Sequence, residues 1–492
     1  MNGFFDEKNR QVIPRWLDYR NASALDLLSA TQPHRPLPIT LSANPEVLED
    51  WETAPSVITA ADLVAESLIL GHHHGTQPEE AAHFILKNAP PTSLLIRDLA
   101  ATFLHKDDSV VSFVQRPDYV NNSRKCIALL KRSLRSSPIN PVAWSDLSLL
   151  HAMLGNSEKA RRSMICALSL GSGNRFVLRN AARCFLHLGD PDRALHILRR
   201  SDLCRRDPWI TAAEVAVSEG LERHSNCIKS ARSLVHDNNN SPFSRSELAA
   251  ALSTVEAKSG SRKKVAHLVQ QVLMDPSENA LAQIEWLASK GYAEEPPATS
   301  QVASFEAQAR HFQRAKLFQQ SLDAAEKWGD FQPFSSGPLL LSTFIASVCL
   351  NDDARAVVIA NRAVPARRRH PLVLNNLAFA QARQDNVVEA VKALQMIDMS
   401  VLGDAQTLTV AATNGLTLFR LGRAAEGREL YRKAVIGFDR LSLPRSAAMA
   451  TFFWAFEEKR LATPESAALV ADAKKRVRLA NVFELDDAAS NL

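Results

Sequence analysis

The sequence predicts an all-α chain, an α-solenoid of stacked antiparallel helix pairs, and three observations predict it. Consecutive segments overlay on one another at an offset of 34 residues without a gap. Residues that favour helices are abundant, while glycine, at 17 of 492 residues, is scarce. No stretch carries the apolar–polar alternation of a half-buried strand.

The length requires either several domains or an elongated repeat, because a single core stops growing near roughly 250–300 residues. With 46% apolar and 23% charged residues the chain resembles folded, soluble proteins, so packing is expected almost from end to end.

The two segments that overlay best begin at Pro141 and Arg175. Leu154 then falls on Leu188, Gly155 on Gly189, Ala160 on Ala194 and Ala167 on Ser201. Each match has a mechanical reason. A glycine after an apolar helical run allows the left-handed residue that ends a helix and reverses the chain. Asn156 and Asp190 then start the next helix, with Pro191 tolerated in its first turn. Ala160 and Ala194 lie where the second helix must approach the first closely, and Trp144 and Leu178 take the large apolar place near the start of the first helix.

This pattern of large, small and glycine positions, with Pro138 where a closing proline belongs, resembles the tetratricopeptide repeat. A second cluster carries it near the C-terminus. Units beginning at Gly337 and Pro371 place Ala356 and Ala390 34 residues apart, with Ala363 at the late small place. The following unit holds Gly415, Leu421, Gly422, Tyr431 and Ala434 in family positions after a longer loop. The clearest units are 141–174, 175–208, 337–370, 371–407 and 408–441.

The expected organisation is a divergent helical N-terminal cap over 1–90 and a repeat block over 91–292. A hinge or ordinary loop follows at 293–300, where the AEEPPATS segment interrupts the helices, and then a second block with closing helices over 301–492. Between the two clusters the helical pattern persists, but its spacing is loose.

The resemblance implies a concave groove lined by the first helix of each pair. In the N-terminal block its partner-facing places are Phe176, Arg179, Asn180, Arg183 and His187. In the second block they are Asn375, Asn376, Phe379 and Arg383, with Leu372 beside them. Arg179 and Arg183 are one helical turn apart, which suits a forked grip on carboxylates or phosphates, and equally a solvated face with surface ion pairs. Some family members clamp a peptide carboxylate with Lys, Asn and Arg on successive first helices. Ser145, Asp146 and Leu149 in the preceding unit do not complete that clamp.

Charge is unevenly distributed along the chain. Eight acids and no Lys or Arg lie between Leu41 and Leu86, whereas Lys131 to Arg206 holds fourteen basic residues against five acids. The leading expectation is a non-catalytic scaffold or adaptor that binds a protein partner with an acidic surface or tail. A nucleic-acid-binding solenoid using the 131–206 stripe is the first alternative, disfavoured by the poor interleaving of aromatic residues. An accessory subunit of a bacterial multi-gene complex, such as an antiphage system, is the second. The C-terminal block could hold another partner or a second copy of the chain.

Residues for catalysis, metals or cofactors are not apparent. His72, His73 and His74 sit side by side in a glycine-flanked turn, a poor arrangement for converging on one ion. No phosphate loop, nucleophile elbow or Cys/His pattern occurs. The six cysteines form no C-x-x-C pair and read as buried, reduced thiols. Phe452, Phe453, Trp454 and Phe456 form the densest aromatic group, read as the core of a closing helix or as a docking site. No apolar run approaches the roughly 18 residues of a membrane span, and no secretory signal opens the chain, so a cytoplasmic protein is expected.

Overall fold

The computed structural model describes residues 45–70, 76–90, 94–104, 119–237, 239–296, 304–332, 334–362, 370–464 and 466–492. Among them there is no strand, and no helix is long and apolar enough to cross a membrane. The chain divides into two compact units, an N-terminal unit running to Pro296 and a C-terminal unit spanning Pro297–Leu492.

The N-terminal unit opens with α1 (Pro45–Thr53), α2 (Val57–Leu70), α3 (Thr76–Asn88) and α4 (Leu94–Leu104). These share a core that includes Trp51, Ala60, Val64, Ala82 and Ile85. After α5 (Tyr119–Ser136), helix pairs follow in regular succession: α6 (Pro141–Met153) with α7 (Ser157–Leu170), and α8 (Arg175–His187) with α9 (Pro191–Arg200). Next come α10 (Pro208–Gly220) with the short α11 (Ile228–Leu234), then α12 (Pro242–Lys258) with α13 (Arg262–Met274), then α14 (Glu278–Ser289). Each first helix packs on its own second helix and on the next first helix, as α8 does on α10, α10 on α12 and α12 on α14.

The C-terminal unit repeats the scheme. It contains α15 (Phe305–Arg314) with α16 (Phe318–Phe331), α17 (Gly337–Phe344) with α18 (Asp353–Asn361), and α19 (Pro371–Arg383) with α20 (Val387–Gln395). The pairs α21 (Asp404–Arg420) with α22 (Ala424–Arg440) and α23 (Pro444–Arg460) with α24 (Ser466–Leu479) follow, and α25 (Asp486–Asn491) ends the chain. First helices again stack in order, α17 on α19, α19 on α21 and α21 on α23.

Sequence explains both ends of these helices. Asn174, Asp190, Asp207, Ser241, Ser277 and Asp352 accept backbone N–H bonds as N-caps, and proline follows immediately at Pro191, Pro208 and Pro242. The other end is a left-handed residue after every first helix from α6 to α23. Glycine fills it at Gly155, Gly189, Gly260, Gly291 and Gly422, but Glu222, Lys316, Asn351, Asp385 and Ala462 adopt the same positive φ. The N–H that follows reaches back five residues, Asp190 to the Phe185 carbonyl at 2.8 Å and Asn386 to Gln381 at 2.9 Å. Helix α17 differs: it finishes in a π turn, Ile345–Cys349, and Asp352 reaches back six residues to Ala346 at 2.7 Å.

Ala160, Ala194 and Ala390 are wholly buried and Ala356 nearly so, as expected for the small place on each second helix. Ser148 uses the close approach to donate to the Ala160 carbonyl at 2.8 Å, and Ser321 does the same to Ala309 at 2.6 Å. The tightest crossing joins α21 and α22. A Cβ on Gly427 would lie 2.6 Å from Phe419 Cδ2 and 2.8 Å from the Gly415 carbonyl.

The middle of the chain is more regular than its loose spacing suggests, since α12 and α13 pair around the Gly260 turn like their neighbours. Of the expected cap, residues 1–44 lie outside the described residues, as do His72–His74, Ala363 and positions 297–300 of the expected hinge.

The left-handed turns make a paired prediction. Gly422 has open space around its missing Cβ, so Gly422→Ala should cost about 1 kcal/mol of unfolding free energy from backbone strain alone. Ala462→Gly, at an exposed left-handed site, should gain a similar amount. Urea unfolding of the two variants checks both signs.

Candidate functional site

Helix α8 carries five of the expected groove places. Phe176, Arg179, Asn180 and Arg183 are all buried there. Arg179 Nη2 donates to both carboxylate oxygens of Glu247 on α12, at 2.8 and 2.9 Å, and its guanidinium lies 4.0 Å from the Trp209 ring on α10. Arg175, one turn earlier, pairs with Asp207, whose other oxygen caps α10 by accepting from Trp209 N at 2.9 Å. Asn180 Nδ2 donates to Ser145 Oγ on α6 at 3.1 Å.

The expectation that Arg179 and Arg183 hold a matched fork out to a ligand therefore does not describe α8. Arg179 grips a carboxylate, but an internal one two pairs along the stack. Arg183 is likewise enclosed, and His187 beside it is lowered to about 4 by burial and by the Arg183 charge, so it is a neutral ring at physiological pH.

In the C-terminal unit the sequence-derived places do converge. Asn375, Asn376 and Phe379 of α19 line a cleft of about 170 Å³ whose walls come from four successive first helices. Thr343 and Phe344 stand on α17, Ser347 and Val348 on the π turn behind it, Thr409 and Thr413 on α21, and Met449 and Phe453 on α23. Tyr431 and Phe438 of α22 close the floor. Burial first, then the Glu457 charge, raises the Tyr431 hydroxyl above its usual range, so it stays protonated.

The cleft is aromatic on one side and amide-bearing on the other. Phe379 and Phe453 meet edge to face, with centroids 4.8 Å apart. Asn376 Nδ2 donates to Thr343 Oγ1 at 3.0 Å, the α19 counterpart of the Asn180–Ser145 bond. Asn375 Nδ2 lies 3.4 Å from Asn376 Oδ1, while Asn375 Oδ1, on a side chain only 4% exposed, accepts no hydrogen bond among the described residues. No charged side chain lines the cleft. Arg383 stays at its margin, 5.7 and 5.8 Å from the Phe379 and Phe453 ring centroids, with Nε 3.0 Å from Asp353 Oδ2 and a bond to Asn351. Burial raises the Asp353 carboxyl, and Arg383 acts against that rise.

The sequence places Phe453 in an aromatic group without assigning it to the groove. Its neighbour Phe452 is core, and Phe453 faces the cleft. The threonines of α17 and α21 gave no signal in the sequence, because hydroxyls within helices commonly bond back to their own backbone. Thr343 and Thr409 do so as well, at 2.7 and 2.9 Å. Among the described residues no group of three or more His, Cys, Asp or Glu side chains could hold a metal ion.

No protein-family model matches the chain, and no curated protein sequence does. Solved structures similar to it include a human IFIT1 dimer with PPP-AAAA, at 14% identity and TM-score 0.36, covering 68% of this chain and 89% of that one. Yeast Tom70 is similar at 14% identity and TM-score 0.31, covering 88% and 95%. The APC/C hetero-tetramer Cut9-Hcn1 is similar at 12% identity and TM-score 0.34, covering 88% and 99%. At these scores the likeness carries no inference about activity or partner. The 34-residue period, the paired helices and the small residues at their crossings are those of an α-solenoid of stacked helix pairs.

Two outcomes follow for α8. Arg179→Ala strands the Glu247 carboxylate and should cost about 3–5 kcal/mol of unfolding free energy, part of which Arg179→Met combined with Glu247→Leu recovers. The second outcome concerns pH. Because the folded His187 is depressed below its unfolded value, its contribution is present above about pH 6.5 and is lost as pH falls toward 4. Between pH 7 and 4.5 the wild type should therefore lose on the order of 2 kcal/mol more stability than His187→Gln, measured by denaturant titration at each pH.

Proposed function

We propose that this chain is a non-catalytic interaction protein that holds an extended segment of a protein partner in the uncharged cleft of its C-terminal unit. The observation that carries this reading is the uncharged lining of the cleft, in which the Asn376 amide and the Thr409 and Thr413 hydroxyls can meet the backbone of a chain bound around Asn375. Phe379, Phe453 and Phe344 beside it supply an apolar seat of a size suited to one large side chain.

Recognition of this kind reads backbone at the amides and one side chain at the aromatic wall. An acidic partner, expected from the basic 131–206 stretch, is not what this cleft selects, because the cations near it, Arg383 and Arg420, are already paired, with Asp353 and with Glu457 and Asp385. Nucleic acid is disfavoured on the same ground, since no cation in the cleft meets a phosphate.

Selection of a random-peptide display library on the full chain tests the reading. Selected peptides should share one large apolar residue. Phe379→Ala and Asn375→Ala should each weaken them about tenfold, with thermal melting showing both variants folded. Selected peptides that bind both folded variants undiminished would refute the cleft. Tight binding of a single-stranded oligonucleotide, steeply salt-dependent and indifferent to Phe379→Ala, would establish the nucleic-acid alternative instead.

A further inference from the structure

The N-terminal unit holds a second pocket, of about 310 Å³, at the far end of α9. Two sulfur atoms form part of its lining. Cys204 sits in the 3₁₀ turn Asp202–Arg205 that follows α9, Cys227 stands at the start of α11, and their Sγ atoms are 2.8 Å apart. This proximity is imposed by a network around the pair. Thr211 Oγ1 donates to the Cys204 carbonyl at 2.7 Å, and the Cys227 N–H donates to Ser225 Oγ at 3.1 Å. Ser225 in turn donates to the wholly buried Glu214, which Arg199 holds at 2.8 Å while also reaching the His224 carbonyl at 2.8 Å. The segment that carries Cys227 is thus tied to the Arg199–Glu214 ion pair, and the segment that carries Cys204 to Thr211 on the helix that bears Glu214.

The rim is cationic. Arg200, Arg205 and Arg206 are exposed around the opening, and among the described residues no carboxylate pairs with any of them. A thiol reacts as its thiolate, and a positive surrounding favours that form. Two other cysteines differ. Cys184 and Cys349 are pushed up to about 12, chiefly by burial, whereas Cys227 is held below the ordinary thiol value by the hydrogen bond from Cys204, with Arg205 acting in the same direction against burial and Glu214. The same bond and burial push Cys204 up.

We propose that Cys204 and Cys227 form an oxidisable dithiol, a modification site whose co-reactant is a small hydroperoxide. The Cys227 thiolate attacks the terminal oxygen of the hydroperoxide; the S–O bond forms, the O–O bond breaks, and the departing oxygen leaves as an alcohol, or as water from hydrogen peroxide, after taking a proton. Cys227 is then a sulfenic acid. Cys204, 2.8 Å away, loses its proton and attacks the Cys227 sulfur. The disulfide forms and hydroxide leaves with that proton as water. Two thiols are oxidised by two electrons in all, and one hydroperoxide is reduced. Arg205 stabilises the attacking thiolate and the negative charge that develops on the departing oxygen. The product ties the turn after α9 to the start of α11 and fixes the arginine-bearing rim between them.

Hydrogen peroxide is the probe. The fully reduced chain, treated with a small excess and quenched by alkylation, should lose two of its six thiols first, with non-reducing peptide mapping joining Cys204 to Cys227. Cys126, Cys166, Cys184 and Cys349 should remain alkylatable at that time. Cys204→Ser should leave a Cys227 sulfenic acid that dimedone traps, and Cys227→Ser should abolish the fast phase. Arg205→Ala, an exposed substitution that leaves melting unchanged, should slow the reaction about tenfold. Oxidation of Cys204 and Cys227 no faster than Cys166, or disulfides joining either to a different cysteine, would overturn the assignment. So would an unchanged rate in a folded Arg205→Ala, as to the role of the rim.

Discussion

The architecture depends on how near two helices can come. A pair buries its apolar stripe only if side chains at the crossing are small enough for backbone and hydroxyl groups to touch. Ala160, Ala194, Ala356 and Ala390 meet that demand in four pairs, and Ser148 converts the proximity into a hydrogen bond across the gap. At α21 and α22 alanine is already too large, and Gly415 faces Gly427. Given these approaches the remaining geometry follows. Within each unit the second helices lie against their first helices, and the first helices stack in file, with polar side chains connecting one pair to the next.

That constraint is also why the fold was legible in the sequence. A small residue required at one crossing per pair leaves a periodic trace, and the 34-residue offset recovers it. The turns were legible only in part. Glu222, Lys316, Asn351 and Asp385 carry the same left-handed backbone as Gly155 and Gly189, but a search guided by glycine passes over them. The geometry repeats more faithfully than the residue, because the strain at one such position, about 1 kcal/mol, is tolerable within a large packed unit.

The candidate site divides along the same line. Asn375, Asn376 and Phe379 share one short helical stretch, so their convergence could be read from position alone. The fate of Arg179 could not, since its partner Glu247 lies 68 residues away on another helix, and period-based reasoning gives no information about that pairing. Charge counting overstates the open cations for the same reason. Between Lys131 and Arg206 the surplus of cations suggests an open basic face, yet Arg161 meets Asp190, Arg175 meets Asp207, Arg179 meets Glu247 and Arg199 meets Glu214. Several of those acids lie outside the stretch that was counted. Among the described residues Lys131, Arg132, Arg135, Lys159, Arg162 and Arg193 remain exposed with no acid paired to them, as does the short rim at Arg200, Arg205 and Arg206.

The π turn at Ile345–Cys349 amounts to a one-residue insertion in an otherwise ordinary helix end. Loss of a single residue there would restore the tighter winding and swing Ser347 and Val348 round the axis by roughly 100°, away from the cleft they now border. The neighbouring pairs would keep their crossings. One codon deleted at this place would thus reshape the pocket's side wall without disturbing the scaffold, giving evolution a way to exchange one ligand for another in a single step.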